Sequence, residues 1–267
     1  MKKLICLLGI TMVTLTSCSN EEFDTSESNV TESNTNGTVL KKTVAIINGG
    51  TPVTTGEYIY DGDKLAKIIT SDDKYVTYSY TGDLITSREF YTNAILNSKE
   101  IFEYNANNQL VNFKRVKPNN SIVYRAIYVY NNDGTIAVTG YKGALTDQNS
   151  EISKRKVFVE NGQVSKIETY VNVNGSMVTE TSRYTFDTKN SPFNDILGFD
   201  KLTYYDSALN GNAHNVTGLS ISSAANANSS SDPIQYTYNA FDYPVTAKEV
   251  DPANNGGKST VFQYFYE

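Results

Sequence analysis

Apolar and polar residues alternate with a period of two along most of this chain, and turn residues cut the alternation at short intervals. The clearest stretch is Tyr58-Ile59-Tyr60-Asp61-Gly62-Asp63-Lys64-Leu65. Tyr58 and Tyr60 share a face because side chains alternate along a strand. Asp61-Gly62 supplies the positive φ of a two-residue hairpin turn, which predicts Tyr60 opposite Asp63 and Tyr58 opposite Leu65. Looser copies follow at Tyr78-Ser79-Tyr80, Phe102-Glu103-Tyr104, Tyr128-Val129-Tyr130, Phe158-Val159-Glu160, Tyr184-Thr185-Phe186 and Tyr236-Thr237-Tyr238, and the chain closes on Phe262–Tyr266. Between them lie opposite turns at Asp72-Asp73, Pro118-Asn119-Asn120, Asn174-Gly175 and Gly256-Gly257. The pattern predicts an all-β fold, an antiparallel β-hairpin meander forming a curved sheet, open barrel or sandwich.

The faces opposite the aromatics differ along the chain. Tyr75, Thr77 and Ser79 suit a face at least partly in water, whereas Val123, Ile127 and Val129 predict that the middle of the sheet is covered, either by another sheet or by its own curvature. Between Phe186 and Ile234 the repeat fails, and an irregular insertion is expected at about 187–233. Ser191-Pro192 reads as a helix start, Ser as cap and Pro at the first position, with Phe193, Ile196 and Leu197 as the apolar stripe. Leu202–Tyr205 and Val216–Ile221 read as strands of a degenerate unit, and 224–232 as a polar loop. Long connections carry function more often than short ones, so Phe193, Tyr204, Tyr205 and His214 form the candidate ligand-binding region.

The N-terminal stretch has a different character. Met1-Lys2-Lys3 is basic, Leu4–Val13 is apolar, and Leu15-Thr16-Ser17-Cys18 ends the run, the layout of a secretory signal too short to span a bilayer. Leu15-Thr16-Ser17-Cys18 resembles a bacterial lipobox, which implies a signal peptide over 1–17 and lipidation of Cys18; the alternative is an ordinary signal cut elsewhere. Cys6 would leave with the signal and Cys18 would be consumed, so the mature chain would hold no disulfide or thiolate site. Residues 18–38, nearly devoid of apolar side chains, read as a flexible tether ahead of one β-repeat domain over 39–267. Ser19-Asn20-Glu21-Glu22 resembles the acidic export signal of Bacteroidota surface lipoproteins, though a plain acidic linker has the same composition. The resemblance implies an outer-membrane, lipid-anchored, cell-surface location.

Charge and composition narrow the partners. Removing 17 of the 267 residues leaves 250, with 21 of the 23 basic side chains against 29 acidic ones. Such a balance argues against nucleic acid, which is held by clustered Lys and Arg, and leaves the lipid as the link to the membrane. There are 20 Tyr, 11 Phe and no Trp, a bias that belongs to a pleated, half-buried surface. A transmembrane barrel is rejected because the strands read as shorter than its 9–11 residues and their non-aromatic faces carry Arg, Lys, Glu and Thr.

Tyr58-x-Tyr60-Asp61-x-x-x-Leu65, preceded by Gly56, resembles the YD repeat of Rhs-type proteins. Here Asp63-Lys64 stands where that repeat has Gly-Arg. Similar loose repeats occur in Bacteroidota lipoproteins described as domains of unknown function with a porin-like β fold. The resemblance implies hairpins wound into a curved sheet over about 56–266 and carries no catalytic residues.

Candidate chemistry is sparse. His214 is the only histidine, without Cys or a second His for a zinc site, and Gly218-Leu219-Ser220-Ile221-Ser222 lacks the closing Gly of a nucleophile elbow. Asp61-Gly62-Asp63, Asp72-Asp73 and Asn131-Asn132-Asp133-Gly134 are residues that turns demand, and none continues into a calcium loop. No cofactor and no metal site are expected. Lys67, Arg88, Lys114, Arg115, Lys166 and Lys248 recur on return strands and read as solvated strand surface. Asp206-Ser207-Ala208 resembles the O-glycosylation acceptor of Bacteroidota secreted proteins, at Ser207. The expectation is a non-catalytic surface lipoprotein serving as a binding or structural envelope module, with an unidentified protein or glycan partner. The alternatives are a glycan-binding accessory of a polysaccharide uptake system, for which Tyr would replace Trp as the stacking ring, and a carboxylate-dependent hydrolase, whose two acids need only converge in space.

Overall fold

The computed structural model describes residues 37–144, 147–173, 175–202, 211–223, 229–230, 233–251 and 258–267. Seventeen antiparallel strands make one curved sheet. The first are β1 (Leu40–Ile47), β2 (Val53–Asp61), β3 (Lys64–Ser71), β4 (Lys74–Thr81), β5 (Leu84–Thr92) and β6 (Ile95–Tyr104). Next come β7 (Leu110–Val116), β8 (Ile122–Tyr130), β9 (Thr135–Ala144), β10 (Asp147–Glu160), β11 (Gln163–Val173) and β12 (Ser176–Asn190). The chain ends with β13 (His214–Ser223), β14 (Ser229–Ser230), β15 (Gln235–Tyr238), β16 (Pro244–Asp251) and β17 (Lys258–Tyr266).

Consecutive strands pair from β1 through to β14, and again from β15 to β17. The last strand finds a second partner at the start of the chain: β17 pairs with β1, Thr43 facing Tyr264 and Ala45 facing Phe262. Thr38 N and Val39 N also donate to Glu267 O, at 3.3 and 3.2 Å. Among the described residues the ladder is open only between β14 and β15, which flank Pro233 in sequence. Even there the sheet curls back on itself, because Ile234 N donates to Thr217 O on β13 at 2.9 Å.

The hairpins are present but the register of the first differs from the sequence expectation. Gly62 alone takes a positive φ, at 62°, and the loop is Gly62-Asp63. Asp61 faces Lys64, Tyr60 faces Leu65 and, past a bulge, Tyr58 faces Ile68. The same step recurs as Tyr80 facing Ile85, Tyr104 facing Leu110 and Tyr238 facing Pro244, each beside a register shift. A bulge adds one residue to one strand, so simple counting from the turn misses it.

Tyrosine hydroxyls tie successive units together. Tyr60 donates to Leu40 O at 2.9 Å, Tyr104 to Ile85 O at 2.7 Å and Tyr130 to Leu110 O at 3.1 Å. Tyr236 donates to Val216 O and Tyr266 to Pro244 O, both at 2.8 Å. Each bond reaches back about one repeat and satisfies a carbonyl at the start of a return strand. Burial lifts the phenols of Tyr60, Tyr104, Tyr236 and Tyr266 above their ordinary range, so they stay protonated donors. Tyr104→Phe should cost about 1 kcal/mol by leaving that carbonyl without its donor; a urea midpoint equal to wild type would refute the role.

Among the described residues there is no α-helix. The expected helix at Ser191 is instead a run of turns, Asn194 N to Ser191 O at 3.1 Å and Ile196 N to Phe193 O at 3.1 Å, ending in a 3-10 turn at Phe199–Leu202. Ser191 still caps its start, its Oγ accepting from Phe193 N at 3.3 Å. This segment fills one end of the concave face. Ile196, Phe199 and Leu202 are buried in the core with Tyr58, Leu65, Ile85 and Phe102. Phe193 packs on Tyr58 and Phe199, Phe199 on Tyr78, and Tyr80 donates to Leu197 O at 3.3 Å. Gly198 has a φ of 79°, and a Cβ there would lie 2.8 Å from Asp83 O. Gly198→Ala should therefore destabilise by more than about 1 kcal/mol, read as a fall in the thermal midpoint; an unchanged midpoint would show that the plug is not seated there.

The apolar set on β8 is only partly covered: Val123 and Ile127 are half-buried and Val129 is 54% accessible, with no second sheet over them among the described residues. The irregular region is also narrower than expected, since β12 runs to Asn190 and β13 starts at His214. Leu202 lies in the 3-10 turn, and 203–205 fall outside the described residues.

Candidate functional site

The concave face has two zones. Toward the Tyr-x-Tyr turns it is apolar and filled by the plug just described. Toward the opposite turns it becomes polar. Phe102 and Phe113 face each other at 2% and 1% exposure, so residues two positions away on either strand, Glu100 and Arg115, share their face. Glu100 is buried and receives two guanidinium groups. Arg88 reaches Oε2 through Nε at 3.0 Å and Nη2 at 2.5 Å. Arg115 reaches Oε1 through Nε at 3.1 Å and Nη2 at 2.9 Å. Each guanidinium thus sets two N–H groups on a single carboxylate oxygen, a charge-assisted contact stronger than a neutral hydrogen bond. Arg88 also lies over the Phe102 ring, 5.5 Å from its centroid.

The row continues along the sheet. Tyr124 on β8 faces Arg115 and packs 5.9 Å from Phe113. Gly140 on β9 leaves room beneath it: a Cβ there would sit 2.7 Å from the Tyr124 hydroxyl and 2.3 Å from Ser153 Oγ. Arg155 shares the face of buried Val157, opposite Val138. Solvent reaches this zone, because the Arg115 side chain is 39% accessible although it points inward.

A second carboxylate stands on the same face. Glu249 on β16 sits two residues from fully buried Ala247 and opposite Thr260. Burial pushes its carboxyl up to about 7, and Oε1 has no hydrogen-bond partner among the described residues. Its folded-state value lies above the unfolded one, so the contribution is favourable below about 4.5 and is lost as pH rises through about 7. Stability should fall between pH 5 and pH 8, and Glu249→Gln should flatten that fall in urea titrations. An identical slope in the variant would exclude Glu249 as its source.

Near the seam, Asp187 gathers three strands. Its carboxylate accepts from Lys189 N at 3.0 Å, Asn215 N at 3.1 Å, Asn215 Nδ2 and the Tyr238 hydroxyl. Thus β12, β13 and β15 are clasped where the ladder is open. An open groove of about 850 Å³ crosses β11 to β13 and reaches the seam at Pro233, lined in part by Lys166, Arg183, Thr217 and Gly218.

Of the residues expected to bind ligand, Phe193 is half-buried in the plug, its ring packed against Tyr58 and Phe199. His214 opens β13 facing Asn190, with Nδ1 2.9 Å from Lys189 O. Tyr204, Tyr205, Ser207 and Cys18 lie outside the described residues. The basic set divides: Arg88 and Arg115 are concave, whereas Lys67, Lys114, Lys166 and Lys248 are convex. For two of the six, solvated strand surface is corrected by their pairing with a buried carboxylate. Glu100, Tyr124, Ser153 and Glu249 were not singled out in the sequence. Their one signal was parity with Phe102, Phe113 and Ala247, which bulges obscure.

No protein-family model matches the chain, and no curated protein matches it. Solved structures do. A porin-like protein from Bacteroides uniformis is 13% identical, with 88% of this chain and 100% of that one covered at a TM-score of 0.50. A porin-like protein from Bacteroides vulgatus is 12% identical, with 86% and 99% covered at a TM-score of 0.44. What the first shares with this chain is the fold. The expected porin-like β architecture is thus met at the level of the curved all-β sheet.

Proposed function

We propose that the protein is a non-catalytic module of the bacterial envelope surface, lipid-anchored at Cys18, that presents the polar zone of its concave face to a ligand. The observation that carries this reading is the distribution of charge. On the convex face, Glu89 pairs with Lys99, Glu103 with Lys114, Lys156 with Asp133 and Lys166 with Glu168. Charged side chains on a lipid-facing strand cost about 2–4 kcal/mol each at the bilayer midplane. The convex face is therefore suited to water, and the rejection of a membrane-spanning barrel rests on that alone. Strand length no longer supports it, since β6 has 10 residues, β11 has 11 and β12 has 15.

Gly37, the first described residue, accepts a hydrogen bond through its carbonyl from Asn239 Nδ2 at 2.9 Å. Gly37 thus lies at the plugged end of the sheet, opposite the polar zone. Cys18→Ser should move the protein from the membrane fraction to the soluble one, and protease applied to intact cells should remove the wild type. Retention of the variant in the membrane, or full protection from protease, would overturn the placement.

A further inference from the structure

We propose that the convex groove over β11 to β13 holds an acidic oligosaccharide, with Arg183 taking a uronate carboxylate and neighbouring hydroxyls the sugar. This goes beyond the reading of the concave face and does not depend on it. The groove lies on a row of directly opposed residues: Phe158 on β10, Lys166 on β11, Arg183 on β12, Ser220 on β13 and Ser230 on β14. Strands lie about 4.8 Å apart, so the row is about 19 Å long. Its bulky members stand at one end, and the step down to Ser220, Gly218 and Ser230 opens the groove of about 850 Å³. Two cations face each other in that row, an unfavourable pairing on a strand ladder. Lys166 is compensated, its Nζ lying 2.8 Å from Glu168 Oε1 and 3.5 Å from the centroid of the Phe158 ring. Arg183 is exposed and has neither an ion pair nor a hydrogen bond among the described residues. Local conflicts of this kind concentrate where a sequence serves something besides folding, and an anion seated on Arg183 relieves this one.

The planar fork of a guanidinium takes both oxygens of a carboxylate. Glu160 also lines the groove and repels a second negative charge, so a monoanionic carboxylate fits better than a phosphate dianion. Beside Arg183 the lining supplies the hydroxyls of Ser165, Thr185, Thr217 and Ser220, each able to donate and to accept, as the hydroxyls of a sugar are. Thr217 Oγ1 donates to Thr185 Oγ1 at 3.0 Å, which fixes two of them. Gly218 keeps the floor low, since a Cβ there would lie 2.9 Å from Thr185 Oγ1.

The test titrates the full mature chain with tetragalacturonate by calorimetry or NMR, with the methyl ester as the uncharged control. Wild type should bind the acid and not the ester, more weakly as salt rises. Arg183→Gln should lose at least about tenfold in affinity. Ser220→Glu should lose as much, because it sets a carboxylate directly across the ladder from Arg183 at an exposed position, whereas Ser220→Gln, of similar size, should keep binding. Tyr124→Phe, on the concave face, should bind like wild type. Since Arg183 holds nothing in place, Arg183→Gln should melt no lower than wild type, and circular dichroism would confirm that each variant is folded. Equal binding of acid and ester, no wild-type binding at millimolar probe, or undiminished binding by Arg183→Gln or Ser220→Glu would overturn the assignment. So would tetraglutamate binding as tightly as the sugar, which would give the groove to an acidic peptide, or a lowered midpoint in Arg183→Gln, which would make the cation structural.

Discussion

Glu100→Gln should be among the most destabilising single changes in the protein, by about 3–5 kcal/mol, because it removes the buried carboxylate on which two guanidiniums converge. The side chain of Glu100 is 3% accessible and that of Arg88 15%, so water can replace little of the lost pairing. The measurement is urea unfolding of the mature chain, with the loss appearing in the midpoint at unchanged slope. Glu100→Gln combined with Arg88→Met should recover part of the loss, since it also takes away a buried charge that has lost its Glu100 carboxylate. A loss under about 1 kcal/mol in the single variant would mean that the cluster is solvated and contributes as a surface pair does.

Phe199→Ala should cost a similar amount, about 3–5 kcal/mol, for a different reason. Phe199 is 5% exposed and lies against both Tyr78 and Phe193, so its removal opens a cavity between the plug and the sheet. Phe241 provides the internal comparison. It is 54% exposed in the turn before β16, and Phe241→Ala should fall within about 0.5 kcal/mol of wild type. If the two variants melted together, the segment from Ser191 to Leu202 would not be part of the cooperative core.

The meander was legible because strands with one buried face leave a period-two trace that turn residues punctuate. Tyr58, Phe102 and Tyr128 are 7%, 2% and 3% exposed, as their place in the repeat predicted. Tyr78 and Tyr236 likewise point into packed core. Register was not legible. A bulge beside Tyr60, Tyr80 and Tyr104 leaves no mark on the hydrophobic pattern, yet it sets which residue each tyrosine faces. The plug was half legible: Ser191 as cap and Phe193 with Ile196 as the apolar stripe were visible, but the sheet imposes turns where local preference suggested a helix. The polar zone was hidden because Arg88, Glu100 and Arg115 look like ordinary strand-surface charges until the pairing of β5, β6 and β7 places them together.

The pairing of β17 with β1 has a consequence for how the molecule comes into being. Leu40 meets Tyr266 across some 226 positions of chain, so the ladder that joins the two cannot form until the final strand has been made. Closing so long a loop carries a heavy entropic cost and makes folding slow. A ribosome-bound or translocating chain would therefore remain an unfinished sheet with β1 exposed on one edge. The nine residues of β17 act as a latch, and a protein emptied of Lys258–Tyr266 should fail to mature rather than merely lose a strand.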